Sequence, residues 1–457
     1  MIHSLVSSRN QANMGIVEQR SLSNAWFDSE TAPYALPTAR NSIALNPDLE
    51  LSVNRQPLRQ QACLDDRVSQ SAFLTATPKV KNQSAANVLR RLRSNAQESS
   101  AASDRDLLTG LDNNQAIVST QNNIALASSA FDSTYGYGLV NAARAVALSI
   151  GSRSAFADVP DWGGMHWGND RVKAQEAWNR GFRGQGVTVA VIDSGVDISH
   201  PDLNDNIWRN RGEIAGDSID NDQNGYVDDV FGWNFGIGQN NNNVTPGTTD
   251  PAQSHGTHVA GTIAAEHNQV GTTGIAPNAK IMAIRLGNVA TSSDGAGRFT
   301  NRGNLAQAIR YAVDNGARVI NLSLGTQPTQ EVVDALAYAA SRNVITVSAA
   351  GNSGASSPGS PARYATHFGI SVGAIDRNNT VADFSNGAGF DSRMQHVVAP
   401  GVGIWSTVPT RMGSYAIKSG TSMAAPHVAG VIALMLSANP NLTHAQVRYI
   451  LTQSATA

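Results

Sequence analysis

Short apolar stretches alternate with helical patterns over most of the chain after residue 170. Five stretches are short, continuously apolar and bounded by turn residues, which predicts buried strands at 187–193, 280–286, 318–324, 344–349 and 368–375. Helices are predicted between and after them, at 254–266, 304–315, 330–342, 423–437 and 443–453. Strands that are apolar on both faces and alternate with helices predict an α/β fold, with a doubly wound, mostly parallel sheet covered by helices on both faces.

Residues 1–155 do not follow this pattern, and we expect an irregular N-terminal extension before an α/β domain at 156–457. The extension is rich in Ser, Asn, Gln and Ala and has weak periodicity. Its exception is 131–148, where a glycine turn precedes an Ala-rich amphipathic helix.

Charge and composition narrow the classes of partner. The net charge is -2 and only 15% of residues are charged, so we expect no nucleic-acid partner. No apolar run reaches membrane-spanning length, so no membrane partner is expected. Cys63 is the single cysteine, which excludes an internal disulfide, and Met1–Arg20 lacks the apolar core of a signal peptide. We expect a monomer, with a cytoplasmic location favoured over a secreted one.

Four polar residues stand where predicted elements begin or end. Asp193 ends one strand and Asn352 follows another, while His255 and Ser422 lie at the starts of helices. Because functional side chains gather at the carboxyl ends of parallel strands, we expect the four to converge. A serine hydroxyl becomes nucleophilic when a histidine accepts its proton and a carboxylate holds that histidine. A main-chain N–H and the Asn352 amide can then stabilise an oxyanion.

The segments around these residues resemble the three signatures of the subtilisin-like serine proteases, or subtilases. They are Val191-Ile-Asp-Ser-Gly195, His255-Gly-Thr-His-Val-Ala-Gly261 and Gly420-Thr-Ser-Met-Ala-Ala-Pro-His427, in the order of that family. The resemblance covers about 165–457. It implies that Asp193 orients the histidine, His255 is the general base and acid, Ser422 is the nucleophile and Asn352 completes the oxyanion hole. The implied activity is endopeptidase hydrolysis of peptide or protein substrates.

The same resemblance implies how a substrate is held. Asn321-Leu-Ser-Leu-Gly325 is similar to the family's edge segment, on which a peptide lies as an added strand. Ser323, Leu324 and Gly325 are the implied substrate-binding residues there. Ala349 and Gly351 match one wall of the primary specificity pocket.

An acidic loop predicts a calcium site. In Asp220-Asn-Asp-Gln-Asn-Gly-Tyr-Val-Asp-Asp229, oxygen-bearing side chains alternate before a glycine turn, as in the first half of an EF-hand loop. The expected ligands are Asp220, Asp222, Asn224 and the Tyr226 carbonyl. Phe231 replaces the usual glutamate, so Asp228 or Asp229 is expected to compensate. The alternative is a solvated acidic loop.

The family resemblance implies a second calcium site. Asp202 and Asn268 match its side-chain ligands, and the carbonyls of Glu266, Val270 and Thr272 complete the set. We therefore expect two or more structural Ca²⁺ ions. A zinc site at His255 and His258 is not expected, because Gly256 stands where a zinc protease has glutamate.

The predicted helix at 131–148 is similar to a segment that follows the last catalytic helix in many subtilases. We therefore expect it to pack on the catalytic domain in that position. A second hypothesis is that part of 1–160 restrains the enzyme until it is cut, as in a zymogen. Two further interpretations stay open: a dedicated processing protease for one partner, and an inhibited or inactive peptide-binding relative.

Overall fold

The computed structural model describes residues 130–247, 251–287, 289–291, 297–299 and 303–456. Over these residues the chain forms an α/β fold around a six-stranded sheet. In chain order the strands are β1 (Thr188–Asp193), β2 (Lys280–Arg285), β3 (Val289–Thr291), β4 (Gly297–Phe299), β5 (Val319–Leu322), β6 (Ile345–Ala349), β7 (Ile370–Ile375), β8 (His396–Pro400), β9 (Ile404–Thr407) and β10 (Tyr415–Lys418). The helices are α1 (Ala142–Ser149), α2 (Trp167–Arg171), α3 (Ala174–Asn179), α4 (His255–Ala264), α5 (Leu305–Asp314), α6 (Gln330–Ser341), α7 (Thr421–Ala438) and α8 (His444–Ser454).

The main sheet has the order β2-β1-β5-β6-β7-β8, and its neighbouring strands are parallel. All five strands expected from the sequence belong to it. The sequence analysis missed β8, which is short and directly follows polar residues, and also missed the antiparallel pair β9–β10. The parallel, doubly wound class is confirmed.

Helices cover both faces of the sheet because successive strand side chains point to opposite sides. Val189 and Val191 of β1 belong to a core cluster that also contains α4 and α7. Ala190 and Ile192 belong to a second cluster with α5 and α6. Each strand is therefore buried on both faces, as its continuous apolar sequence requires.

Helix α7 lies at the centre of the first cluster. It packs against β5, β6, β7 and β8 and against α4 and α1, and it is apolar nearly all round. Among the described residues it is the helix long and apolar enough to cross a membrane, and 83% of it is buried inside the fold. Such burial is that of a central core helix.

Residues 136–149 pack at the far edge of the same sheet. Leu139 exchanges two main-chain hydrogen bonds with Thr456, at 2.7 and 2.8 Å. The N–H of Val140 donates to the carbonyl of Val398 in β8 at 3.1 Å. The following helix, α1, contacts α7 and α8. This segment therefore lies beside residues more than 300 positions later in the chain.

Candidate active site

Asp193 and His255 form a hydrogen-bonded pair at the carboxyl end of β1. Asp193 is fully buried, and His255 is the first residue of α4. His255 Nδ1 lies 2.8 Å from one carboxylate oxygen of Asp193 and 3.0 Å from the other. Because an ionised carboxylate only accepts hydrogen bonds, Nδ1 carries the proton and the ring's lone pair is on Nε2. The pair can therefore accept a proton at Nε2 and stabilise the resulting cation.

Ser422 lies in the first turn of α7, the helix that packs against α4. Its hydroxyl donates to the main-chain carbonyl of Ser323 at 3.2 Å. Within the part of the chain that the structure describes, no hydrogen bond joins this hydroxyl to His255. Rotation about the Cα–Cβ bond redirects a serine hydroxyl, so the structure records one rotamer of this side chain.

Two hydrogen-bond donors converge next to Gly420. The Asn352 carbonyl oxygen accepts from the N–H of Thr421 at 2.9 Å and from its hydroxyl at 2.7 Å, which leaves Nδ2 free to donate. A Cβ placed on Gly420 would lie 3.4 Å from Asn352 Nδ2 and 3.7 Å from the Ser422 nitrogen. Gly420 carries no side chain, so no Cβ lies between these two nitrogens. An anionic oxygen bound close to both nitrogens can be stabilised by both donors.

The expected substrate-binding residues lie at the ends of the two neighbouring strands β5 and β6. Ser323 and Leu324 are buried and follow β5, whereas Gly325 is exposed. Ala349 ends β6. Gly351 adopts a φ of 114°, and its N–H donates to the Thr421 hydroxyl at 3.2 Å. This contact joins the end of β6 to the first turn of α7.

The Asp202 carboxylate has one oxygen with no hydrogen-bond partner. Asp202 is fully buried; Oδ2 accepts from the Thr272 N–H at 3.0 Å and from the Tyr415 hydroxyl at 3.3 Å. Oδ1 is buried and unpaired. Burial, together with the charge of Glu266, raises the pKa of Asp202 to about 6 against the donation from Thr272 and Tyr415. An uncompensated buried carboxylate oxygen of this kind is costly unless a proton or a cation neutralises it.

The other expected ligands of this site lie on the loop 266–272. Asn268 accepts from the Val270 N–H through its side-chain oxygen at 2.9 Å. Glu266 uses its carboxylate to accept from the N–H of Asp205 at 2.9 Å. The loop is shaped by left-handed backbone at Gln269 and Gly271.

In the acidic loop, Glu213 lies beside two of the expected ligands, Asp220 and Asp222. Carboxylate oxygens of Glu213, Asp220 and Asp222 lie within 4.8 Å of one another. Glu213 was not predicted, because it lies seven positions before Asp220, outside the alternating pattern. Its carboxylate also accepts from the N–H groups of Asn221 and Asp228 at 2.8 and 2.9 Å.

The remaining expected ligands of that loop face other donors. Asp228 accepts from the N–H groups of Gly216 and Ser218. Asp229 is fully buried and accepts from the Tyr311 hydroxyl at 2.6 Å, and burial raises its pKa. The side-chain oxygen of Asn224 accepts from the N–H of Tyr226 at 2.8 Å, so this loop is held by internal hydrogen bonds.

His258 lies one turn after His255 but has a different environment. Its Nε2 donates to the carbonyls of Ile404 and Ala416 at 3.0 and 3.2 Å. Burial lowers its pKa to about 3, so the ring is neutral at pH 7. Among the described residues, the metal-capable group of three or more contains no histidine.

The site also includes residues that the sequence analysis did not assign. Thr421 holds Asn352 as described above, and Asn321 contacts Ser323. Lys418 is half-buried at the end of β10; burial lowers its pKa, while the charge of Asp193 raises it. Thr421 lies within the Ser422 motif and Lys418 lies two residues before it, so their closeness to Ser422 in the sequence was the available signal.

Comparisons with known proteins give one consistent result. The Subtilase family model matches residues 184–457. Subtilisin BL of Lederbergia lenta is 42% identical over 293 residues, which cover 64% of this chain and 91% of that protein. Subtilisin E of Bacillus subtilis (strain 168) is 39% identical over 302 residues, covering 64% and 66% respectively. The crystal structure of a cold adapted subtilisin-like serine proteinase matches with a TM-score of 0.42 and 30% identity, over 59% of this chain and 81% of that one.

Proposed function

This chain belongs to the subtilase family and is a serine endopeptidase, and from that premise we propose that Asp193, His255 and Ser422 are its catalytic triad. His255 Nε2 takes the Ser422 proton as Oγ attacks the substrate carbonyl carbon. The oxyanion accepts hydrogen bonds from the Ser422 N–H and Asn352 Nδ2. Collapse of this intermediate breaks the C–N bond, and the leaving amine takes the proton from His255. Water, activated by the same histidine, then hydrolyses the acyl-enzyme.

The observation that carries this proposal is the contact of both Asp193 oxygens with His255 Nδ1, at 2.8 and 3.0 Å. It supports the tautomer that a general base needs. The proximity of Asn352 Nδ2 and the Ser422 nitrogen, both near Gly420, supports the position of the oxyanion.

The triad is tested by peptide hydrolysis and by labelling with a serine-directed fluorophosphonate. Ser422→Ala is expected to lower kcat by about 10⁴-fold or more and to abolish labelling, with an unchanged melting temperature. Ser419→Ala, an exposed serine in the same segment, is the matched control and is expected to keep both. Labelling that survives in Ser422→Ala would overturn the proposal.

We further propose that a peptide substrate binds along Ser323, Leu324 and Gly325 as an added strand, with Ala349 and Gly351 beside its side-chain pocket. Main-chain groups at the end of β5 would pair with the peptide backbone. A substrate N–H that donates to the Ser323 carbonyl would replace the Ser422 hydroxyl as its hydrogen-bond donor. The Ser422 hydroxyl would then be free to donate to His255. Mapping the bonds cleaved in a mixed peptide library reports the pocket's preference.

The Asp202 site fits a structural Ca²⁺. Its buried, unpaired Oδ1 is the kind of hard oxygen ligand that calcium takes, and burial raises the pKa of Asp202 to about 6, the direction expected for a carboxylate without a neutralising partner. Asp202, Asn268 and the carbonyls of Glu266, Val270 and Thr272 would hold the ion. Bound calcium would neutralise the carboxylate and stabilise the loop 266–272.

A second Ca²⁺ is proposed at Asp220 and Asp222, with Glu213 as a further carboxylate. Their oxygens lie close enough to share one ion. Asn224, Tyr226, Asp228 and Asp229 remain expected contributors, although their side chains or neighbours are engaged in the loop's own hydrogen bonds. This site is supported less strongly than the first, because no carboxylate oxygen in it is buried and unpaired.

Calcium binding is tested by measuring the melting temperature with millimolar calcium and with a chelator. Wild type is expected to melt higher with calcium, since a ligand that binds only the folded state stabilises it. Asp202→Asn should lose most of that increase, and Asp220→Asn a smaller part. An equal increase in wild type and Asp202→Asn would contradict the first site.

We also propose that any cut that activates the enzyme lies before residue 130. The zymogen hypothesis places a restraining segment in residues 1–160. Val140 and Val146 are fully buried in the cluster that contains α7, so a cut near Ala155 would break the covalent link between part of the core and the rest of the domain. Comparing the activity of the full chain with that of a chain starting at residue 130 tests the restraint.

A further inference from the structure

The carbonyl of the proposed nucleophile lacks its ordinary helical donor. In an α-helix the carbonyl of residue 422 accepts from the N–H of residue 426. Residue 426 is proline, which lies inside α7 and has no N–H. An unpaired main-chain carbonyl in a buried helix is costly, so a donor from another element is required.

Ser323 supplies that donor. Its hydroxyl donates to the Ser422 carbonyl at 2.8 Å, while the Ser422 hydroxyl donates to the Ser323 carbonyl at 3.2 Å. The two residues are 99 positions apart and are thus joined by two reciprocal hydrogen bonds. Ser323 is 2% exposed, so water does not compete freely for its hydroxyl.

Asn321 sets the direction of this contact. Its Nδ2 donates to Ser323 Oγ at 2.9 Å. A serine hydroxyl has one proton, so an oxygen that already accepts from Asn321 can direct this proton to Ser422. Asn321 and Ser323 are two positions apart along the direction of β5, and alternate residues of an extended chain share a face.

Burying the polar side chain of Asn321 costs folding free energy, which indicates a role beyond packing. It is fully buried at the centre of the sheet, where it pairs with Val191 and Val347. Its side-chain oxygen has no hydrogen-bond partner. An apolar residue at this position would avoid that cost.

We propose that Ser323 and Asn321 are positioning residues. Their hydrogen bonds hold the main chain of Ser422 and so replace the helical hydrogen bond that Pro426 cannot make. This inference rests on the proposed role of Ser422. This relay, which runs from Asn321 through the Ser323 hydroxyl to the Ser422 carbonyl, acts on the main chain of residue 422. The N–H of residue 422 is one of the two proposed oxyanion donors. Loss of the relay therefore lowers transition-state stabilisation more than substrate binding.

A double-mutant cycle between Ser323 and Pro426 tests the relay. Ser323→Ala is expected to lower kcat about tenfold, equivalent to ~1.4 kcal/mol of transition-state free energy. KM should change less than about twofold, because the main-chain groups of residue 323 remain. In a Pro426→Ala background, residue 426 regains its N–H, and adding Ser323→Ala should lower kcat only about twofold. A purely structural role for Ser323 does not produce this rescue.

Asn321→Leu is the second variant, since it removes the relay's first donor without touching Ser323. It is expected to lower kcat roughly threefold in wild type and to have little effect with Pro426→Ala. Equal losses in the two backgrounds, or a change in KM alone, would overturn the inference. Wild type that hydrolyses no peptide, either as the full chain or after cleavage before residue 130, overturns the proposed function itself. Active wild type with undiminished activity in Ser323→Ala overturns only the relay.

Discussion

Residues 130–183 lie outside the match to the family model and residues 184–456 lie within it, yet both contribute side chains to one core. The family model begins at residue 184. Val140, Ala145 and Val146, which precede it by about forty positions, are as fully buried as Val189 and Val191 within it. All five belong to the same hydrophobic cluster. The start of a family match therefore does not mark the start of the folded unit.

The largest expected effect is a loss of thermal stability, which is measured by comparing two deletions. Removing residues 1–149 takes away α1 and the segment paired with Thr456 and β8, and exposes the surfaces they cover. Buried valine and leucine side chains contribute about 1.5–3 kcal/mol each, so we expect a melting temperature lower by ~10 °C or more, or no folding. Removing 1–129 is the matched control, since it leaves every described residue in place, and it should lower the melting temperature less. If calorimetry gives the same melting temperature for both deletions, residues 130–149 do not stabilise the fold.

Gly136→Ala tests the contact of this segment with β8. Gly136 has a φ of 63°, and a Cβ there would overlap the carbonyl oxygen of His396. We expect a loss of ~3 kcal/mol in the free energy of unfolding, measured with urea. Gly151→Ala is the control, since its φ is 76° but no atom lies within 4 Å of its Cβ position, and about 1 kcal/mol is expected. Similar values for the two would place the cost in the backbone conformation alone.

Leu139→Ala tests the packing at the point where the two ends of the described chain meet. Leu139 is 9% exposed and packs with Ile375 and Val398. Its truncation should cost about 2–3 kcal/mol in urea unfolding. Ile150→Ala, which changes a side chain that is 44% exposed, should cost less than about 1 kcal/mol. A negligible loss at Leu139 would mean that this contact does not stabilise the fold.

A pH dependence of stability is expected at His396, whose carbonyl accepts from the Tyr137 N–H. Burial lowers the pKa of His396 to about 3, below the ordinary 6.5. The unfolded chain therefore binds a proton that the folded chain does not, so stability is full above pH 6.5 and falls as pH drops towards 3. This histidine adds a slope of ~1.4 kcal/mol per pH unit in that window.

His396→Gln should reduce the slope by about one proton. A residual slope is expected, since burial also lowers the pKa of His258 to about 3 and of His427 to about 4. Urea unfolding between pH 4 and pH 7 checks it. An unchanged slope in His396→Gln would show that this histidine is protonated in the folded state.

The sequence predicted the elements of the sheet well because their signal is local. Each of the five expected strands is present with ends within two residues of the prediction, since a short apolar run bounded by turn residues needs no distant information. It missed β8, whose five residues directly follow a polar stretch. It also missed the β9–β10 pair, whose β10 side chains are only partly buried and therefore show no clear apolar pattern.

The candidate site divides in the same way. Asp193, His255 and Ser422 stand in contiguous motifs, so the role proposed for each could be predicted from the sequence alone. Glu213 and Thr421 acquire their places beside Asp220 and Asn352 through the path of loops. No spacing rule in the sequence pointed to Glu213.

By itself the sequence determined the α/β class, the order of the five predicted strands and the helices between them, and the three motifs that carry the proposed triad, because these depend on periodicity and short motifs. Only the tertiary structure decided which carboxylate oxygen is left unpaired at Asp202, how Ser323 replaces the donor missing at Pro426, and that Leu139 pairs with Thr456. These depend on contacts between residues far apart in the chain. The apolar packing around α7 brings such residues together, and no local pattern encodes them.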